Sequence, residues 1–470
     1  SITPTYSMDR ATNAVDAADD YRTPLPCEAR TFELTGLALS AGQYRFTLAE
    51  MLDLGTSAAV IAYEQSASPG LLQKRLIEHA RMLFRRDDLT GALPPGELQS
   101  QALPFETYKL AFTPGLLTDI FGGRVTDAML ETEGRYVHSE GEPAWWIPSG
   151  RVFFSPDSTD TPAQELSHAR QHFFLPLRSK DPFHTDTVST EAVATYDGYD
   201  LLLVETRDAV GNVISVATSD DAGTTAIRND YRVLQPYWMT DVNGNRARVA
   251  FDALGMVVGT AVMGKPLPAP VEGDSLDGFA VDLTDAVLAD YQANQIADPH
   301  SLLQRATTRL VYDLFAYHRT KGQPNPQPVV VHTLARETHH SDPVPAGGLK
   351  IQQSFSYSDG FGREIQKKTR AEAGSVPRRD ATGTIIIGAD GQPQMTPNAV
   401  PRWVGSGWAV FNNKGKPVRQ FEPFFTDRHT FEFDVRIGVS PVLFYDPAGR
   451  VVGTLYPNHT WKKVVFDPWR

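Results

Sequence analysis

Several residue sets in this chain have types and spacings that could do chemistry. Gly273-Asp274-Ser275-Leu276 sets a serine beside an acid, but an ester-hydrolysing serine also needs a histidine base and an oxyanion hole. The only Asp-x-x-His pair, Asp181 to His184, lies upstream, and the serine follows the proline-rich run 265–270 instead of a strand. A surface loop is the expected reading. Glu165, His168 and His172 fall on one helical stripe, yet they lack the His-Glu-x-x-His order that places a general base beside zinc. His339 and His340 are adjacent, so on a strand they would point to opposite sides and not chelate together. Asp87-Asp88, Asp197, Asp200 and Asp220-Asp221 could work as acid/base pairs only if folding brought them together; turn capping and solvation are the expected uses. Trp145, Trp146, Trp403, Trp408, Trp461 and Trp469 could stack sugars, but packing inside a wall is the expected use. No catalytic residue, metal or cofactor is therefore assigned. The competing functional reading is a carbohydrate-binding or glycosidase-like β protein, and an esterase at Ser275 ranks below it.

The elements that would have to position such residues are mainly strands. A turn of the form Asp/Asn-x-x-Gly-x recurs at Asp208 with Gly211, Asp241 with Gly244, Asp252 with Gly255, Asp359 with Gly362, Asn412 with Gly415, and Asp446 with Gly449. The first side chain can accept from turn amides, and the glycine tolerates the positive φ of a type I turn followed by a bulge. β-branched and apolar residues such as Val249, Phe251, Val258 and Thr260 flank the turns. The expected fold is mainly β: a long antiparallel β-strip of serial hairpins with a few short helices. At the C-terminal end, strands are expected at 442–445, 451–456 and 461–466. Val451, Val452, Leu455 and Tyr456 make both faces apolar or aromatic, which suggests strands covered on both sides or lining a closed interior.

Helices are expected in three places. Apolar residues at 71, 72, 76, 80, 83 and 84 have helical spacing within 70–89, with Lys74, Arg75, Arg81, Arg85 and Arg86 elsewhere on the cylinder. Thr161, Pro162 and Gln164 form a capping-box start for a helix to about His172, and 285–293 carries a third. Residues 1–30 read as a connector before a strand at 31–37, and 265–274, 319–327 and 374–401 read as loops. The expected division is 1–190, a segment before the repeats; 191–373, a first repeat segment; 374–401, a loop or linker; and 402–470, a C-terminal meander. Both ends of the sequence suggest excision from a longer polypeptide.

Composition narrows the classes further. The 470 residues hold 44 Lys and Arg against 56 Asp and Glu, a net charge of -12, which argues against a duplex nucleic-acid binder. The single cysteine, Cys27, cannot form an intrachain disulfide. The most apolar run, 255–263, is too short and glycine-broken to span a membrane as a helix.

Beyond the turns, an ordered series of blocks carries a resemblance. These are Tyr21-Arg-Thr-Pro-Leu-Pro-Cys-Glu28, Arg85-Arg-Asp-Asp-Leu-Thr-Gly91, Leu110-Ala-Phe-Thr-Pro-Gly-Leu116, Trp145-Trp-Ile-Pro-Ser-Gly-Arg151 and His172-Phe-Phe-Leu-Pro176. They continue as Tyr199-Asp-Leu-Leu-Leu-Val-Glu-Thr-Arg-Asp208, Tyr357-Ser-Asp-Gly-Phe-Gly-Arg363, Pro401-Arg-Trp-Val-Gly-Ser-Gly-Trp408, and Tyr445-Asp446 through Pro468-Trp469. The chain resembles the Rhs/YD-repeat B component of the bacterial insecticidal toxin complexes, in the region after its β-propeller. The resemblance implies a structural, non-enzymatic shell segment that encapsulates a cytotoxic effector and helps deliver it. Its implied partners are the C component and the enclosed toxin domain, and the pore-forming A component only through a propeller outside this sequence. It implies a virulence factor made in the bacterial cytoplasm and secreted, without membrane insertion by this segment.

Overall fold

The computed structural model describes residues 5–10, 25–219, 225–266, 271–380 and 383–465. The chain divides into two compact units, one ending at Ile214 and the other spanning Ser215–Val465. The protein is mainly β with few short helices. Among the described residues no helix is long and apolar enough to cross a membrane.

In the first unit, strands Thr5–Arg10, Leu25–Thr35, Gln73–Phe84, Pro104–Phe112 and Trp145–Pro148 follow one another in an antiparallel sheet, and Ala59–Ile61 adds a parallel edge. The expected helix over 70–89 is thus the central strand of this sheet. Leu72, Leu76, Ala80 and Phe84 are four apart, a spacing that also satisfies the two-residue period of a strand. The pattern misled because the buried positions between them are Gln73, His79 and Arg81. Arg81 lies 4.4 Å from the Trp146 ring centroid and His79 meets the same ring edge-on at 4.7 Å. Polar side chains share the core here with Trp146 and Phe84, so a hydrophobicity pattern reports the buried positions incompletely. The expected connector 1–30 also differs: Thr5–Arg10 pairs with Leu25–Thr35, while 1–4 and 11–24 lie outside the described residues.

The helix Pro162–Gln171 has the capping box read from sequence, with Thr161 Oγ1 accepting from Gln164 N. After it, Arg178–Lys180, Ala192–Tyr196 and Leu203–Arg207 continue antiparallel pairing from Arg151–Phe153.

The second unit is built on a succession of antiparallel strands. They run from Trp238–Thr240 through Arg246–Phe251, Val257–Met263, Thr308–Asp313, Val329–Arg336, Ile351–Ser358, Glu364–Ala371 and Arg402–Gly405 to Phe424–Thr426. The helix Asp285–Ala293 has the bounds expected, with Thr284 as its N-cap. It and Pro299–Leu303 supply Tyr291, Leu302 and Leu303 to a core with Ala261, Val311 and Leu334. A second core gathers Val330, Phe355, Tyr357 and Trp403.

Burial alternates along most of Val329–Arg336 and Ile351–Ser358, so these strands hide one face and leave the other partly wet. This corrects the expectation of cover on both faces. In the C-terminal meander of Val442–Tyr445, Val451–Leu455 and Trp461–Lys463, Val451 and Val452 are only half-buried, and Leu455 and Tyr456 are exposed. The stretch expected as a loop over 374–401 contains the pair Gly374–Pro377 and Met395–Ala399. The pattern of hairpins extends into it.

Candidate functional site

The six recurring turns share one geometry. In each, the first residue's amide donates to the carbonyl of the fifth, and the glycine amide donates back to the first carbonyl. For Asp241 these distances are 2.8 Å to Asn245 O and 3.0 Å from Gly244 N, and for Asp446 2.9 Å to Arg450 O and 3.0 Å from Gly449 N. The same closure holds at Asp208 with Gly211, Asp252 with Gly255, Asp359 with Gly362, and Asn412 with Gly415. The side-chain Oδ1 caps the amide of the fifth residue at 2.8–3.0 Å in each turn. The glycine sits at φ between 73° and 90° in all of them, a region side chains disfavour.

The fifth residue closes the turn further. Asn212 and Asn245 donate to Oδ2 of Asp208 and Asp241, holding those carboxyls below the usual range. Arg363 and Arg450 do the same through Nε at 2.7 and 2.8 Å. A further copy stands at Asp380, where Gly383 N and Thr384 N are the donors and Gly383 has φ 90°. The sequence carries its signal, Asp-x-x-Gly-Thr, inside the stretch read as a loop. The turn at Tyr456 closes identically on Thr460 with His459 in place of glycine at φ 65°, which no glycine search could find.

The second group of residues was not found from sequence. An irregular segment at 427–434 lies across the buried face of the second unit's strands. Tyr357 Oη donates to His429 O at 2.6 Å, Gln366 exchanges hydrogen bonds with both backbone groups of Glu432, and Phe431 N donates to Gln327 Oε1. Lys368, fully buried, donates to Arg428 O at 3.0 Å and pairs with Glu432, which also pairs with Arg379. Burial brings the Lys368 amine down to about 8 against the pull of Glu432. Beneath this strap His332 stacks flat on Phe355, centroids 4.1 Å apart, and Phe355 meets Trp403 edge-on. Neither ring nitrogen of His332 has a hydrogen-bond partner, and burial takes it down to about 3. Burial likewise takes His429 to about 4. Both rings are neutral packing elements at neutral pH.

The candidate catalytic residues are separated or engaged elsewhere. Ser275 Oγ accepts from Asp277 N at 3.0 Å, and Ser275 N donates to Arg305 O. The buried Asp274 carboxylate holds His339 Nδ1 at 2.9 Å, the His340 amide at 2.7 Å and the Thr307 hydroxyl. It thus knits three loops together. Asp181 and His184 both serve their own turn through Thr190. Glu165 makes a two-pronged pair with Arg85 at 3.0 and 2.7 Å and accepts from Phe154 N. His168 bonds Phe154 O and His172 bonds Asp200, their rings stacked at 4.2 Å. Among the described residues no group of three or more His, Cys, Asp or Glu side chains could hold a metal ion.

Asp87 caps Ser100 and Gln101, Asp88 caps Thr90, and Asp197 caps the turn to Leu201; Asp220 and Asp221 lie outside the described residues. Trp145, Trp146 and Trp403 are buried, Trp408 packs on Phe431 and Phe433, and Trp461 is exposed. Trp469 lies outside the described residues. Cys27 is buried beside Phe84 and Leu93.

What this arrangement can do is hold ordered antiparallel sheets with regular tips. Its fold is similar to that of solved toxin-complex structures. No protein-family model matches the chain, and no curated protein matches it. Among solved structures it is similar to the crystal structure of TcdB2-TccC3, with a TM-score of 0.65 at 20% identity over 99% of this chain. It is also similar to TcdB2-TccC3 without its hypervariable C-terminal region, TM-score 0.64 at 19% identity, and to the Photorhabdus luminescens Tc holotoxin pore, TM-score 0.62 at 19%. Both matches cover 99% of this chain. The chain spans about a fifth of those chains, 20% of the first and 22% of the other two.

Proposed function

We propose that this chain is a wall segment of a toxin-complex shell, which encapsulates a cytotoxic effector and helps deliver it. The observation that carries the reading is the likeness to TcdB2-TccC3 along 99% of the chain, combined with a sheet that grows strand by strand through capped hairpins. Its partners on this reading are a C component and the toxin domain enclosed with it. A pore-forming A component would be met only through a propeller elsewhere in the polypeptide. The segment acts by shape, without catalysis, in a complex secreted from the bacterium that makes it. The four-part division at 190, 373 and 401 belongs to the same proposal, with the six turns as structural residues.

The test is to co-produce the polypeptide carrying this chain with its C component and challenge the particle with protease. A hollow particle by electron microscopy, with the passenger domain protected until the shell is denatured, is the expected result. A solid particle, or a passenger digested as fast as free passenger, overturns the reading.

A further inference from the structure

A cleft of about 790 Å³ in the second unit is lined by Arg228, Arg246 and Arg248 together with Tyr237, Trp238 and Asp277. Its floor follows from register. Trp238 pairs with Arg248 and Thr240 with Arg246 across neighbouring strands, and residues two apart share a face, so both arginines and Trp238 project to one side. In a chain with net charge -12, this cleft concentrates three guanidiniums against one carboxylate.

The guanidiniums are incompletely used. Arg246 donates through Nε to Gly264 O at 3.0 Å, but its Nη2 is buried with no acceptor. Arg228 uses Nε on Thr218 Oγ1 at 2.9 Å. Arg248 Nη1 holds Asp277 Oδ1 at 2.8 Å, and the Asp277 side chain is 70% exposed. A solvent-exposed pair of this kind is weak and exchangeable. Asp277 also shows which chemistry the cleft accepts, a carboxylate on a guanidinium fork. The positive charge runs along one strand, through Arg246 and Arg248, and on to Arg228 in the segment beside it, which matches a row of carboxylates better than one compact phosphate.

We propose that this cleft binds a carboxylate-rich peptide segment of a partner protein, whose acidic side chains engage Arg246 and Arg248 in competition with Asp277 while its backbone lies against Trp238. The inference does not depend on the shell reading.

The experiment is titration calorimetry of the whole chain with a hexaglutamate peptide, using hexaglutamine and sodium triphosphate as comparators, at low and at high salt. Hexaglutamate is expected to bind, more weakly as salt rises, and hexaglutamine not to bind. Arg246→Gln with Arg248→Gln should weaken binding at least about tenfold. Asp277→Asn should strengthen it, by about threefold or more, because it frees Arg248. That gain cannot come from misfolding. Loss of the ligand-induced fluorescence change in Trp238→Phe would place the peptide in the cleft. No hexaglutamate binding, binding indifferent to both arginines, or no gain in Asp277→Asn overturns the proposal, as does binding of triphosphate alone.

Discussion

Two buried faces of this protein are built from different mixtures of charge and apolar area. In the first unit the central strand Gln73–Phe84 turns His79 and Arg81 inward against Trp146, with Glu28 accepting from both and from Arg30. In the second unit the strands Val329–Arg336 and Ile351–Ser358 turn Val330, His332, Leu334, Gln353, Phe355 and Tyr357 inward, mostly apolar and aromatic. The first face is held mainly by directional charge-assisted bonds around Glu28, whereas the second adds ring stacking and apolar area to the Lys368–Glu432–Arg379 pairs of the strap. The first therefore depends on every partner being present, whereas the second depends in addition on the volume and shape of its rings.

The sharpest way to test that contrast is to truncate the ring at the centre of the second face. Phe355→Ala should cost about 3–5 kcal/mol, read by urea denaturation and by hydrogen exchange in Val329–Arg336. A cost near zero would mean the stack is not a core.

Acid should separate the two faces next. His332 and His429 have folded pKa values below the ordinary 6.5, at about 3 and about 4. The unfolded chain then binds more protons below 6.5, so stability is full above that pH and is lost as pH falls towards 4. His332→Phe, which keeps a ring on Phe355, should remove about 3 kcal/mol of the loss between pH 6.5 and 4. An unchanged pH profile in hydrogen exchange at Val329–Arg336 would count against it.

Glu28 titrates lower. Burial opposes its charge, but bonds from Arg30, His79 and Arg81 outweigh burial and hold it at about 2, below its ordinary 4.5. Its stabilisation is present above 4.5 and is lost as pH falls towards 2. Because the edge of this network is solvent-screened, Glu28→Gln should remove only about 1–2 kcal/mol of acid sensitivity in that window, seen as slower exchange loss in Leu25–Thr35.

The smallest effect belongs to the tips. Gly362 has φ 76° with open space around its Cα, so Gly362→Ala should cost about 1 kcal/mol from backbone alone. Gly255→Ala should cost more, because its new Cβ would fall 2.6 Å from Val233 Cγ1. Equal thermal shifts for the two would show that backbone conformation dominates at the tips.

Local chemistry was legible because it is short-ranged. A side-chain oxygen and a glycine three residues apart close a turn with no help from the rest of the chain, and Thr161 with Gln164 starts a helix in the same way. The Asp380 turn was equally legible and lies in a stretch whose many polar residues read as loop. His459 was not, since an ordinary side chain at φ 65° is tolerated only in context.

The chemistry-bearing residues behaved differently. Asp274 and His339 are 65 positions apart, and nothing in spacing could show that they bond to each other while Ser275 stays apart. The strap at 427–434 reaches residues about 60–100 positions away through single side chains, which leaves no periodic trace.

By itself, then, the sequence determined a mainly β chain of serial hairpins, because the turns and the caps are written in neighbouring residues. Only the tertiary structure decided that 70–89 is a strand, that its inward face is charged, and which face of each later strand is covered. Those outcomes depend on partners such as Trp146 and Glu432 that arrive from distant parts of the chain. They decide burial by supplying hydrogen bonds and ring faces that no local pattern contains.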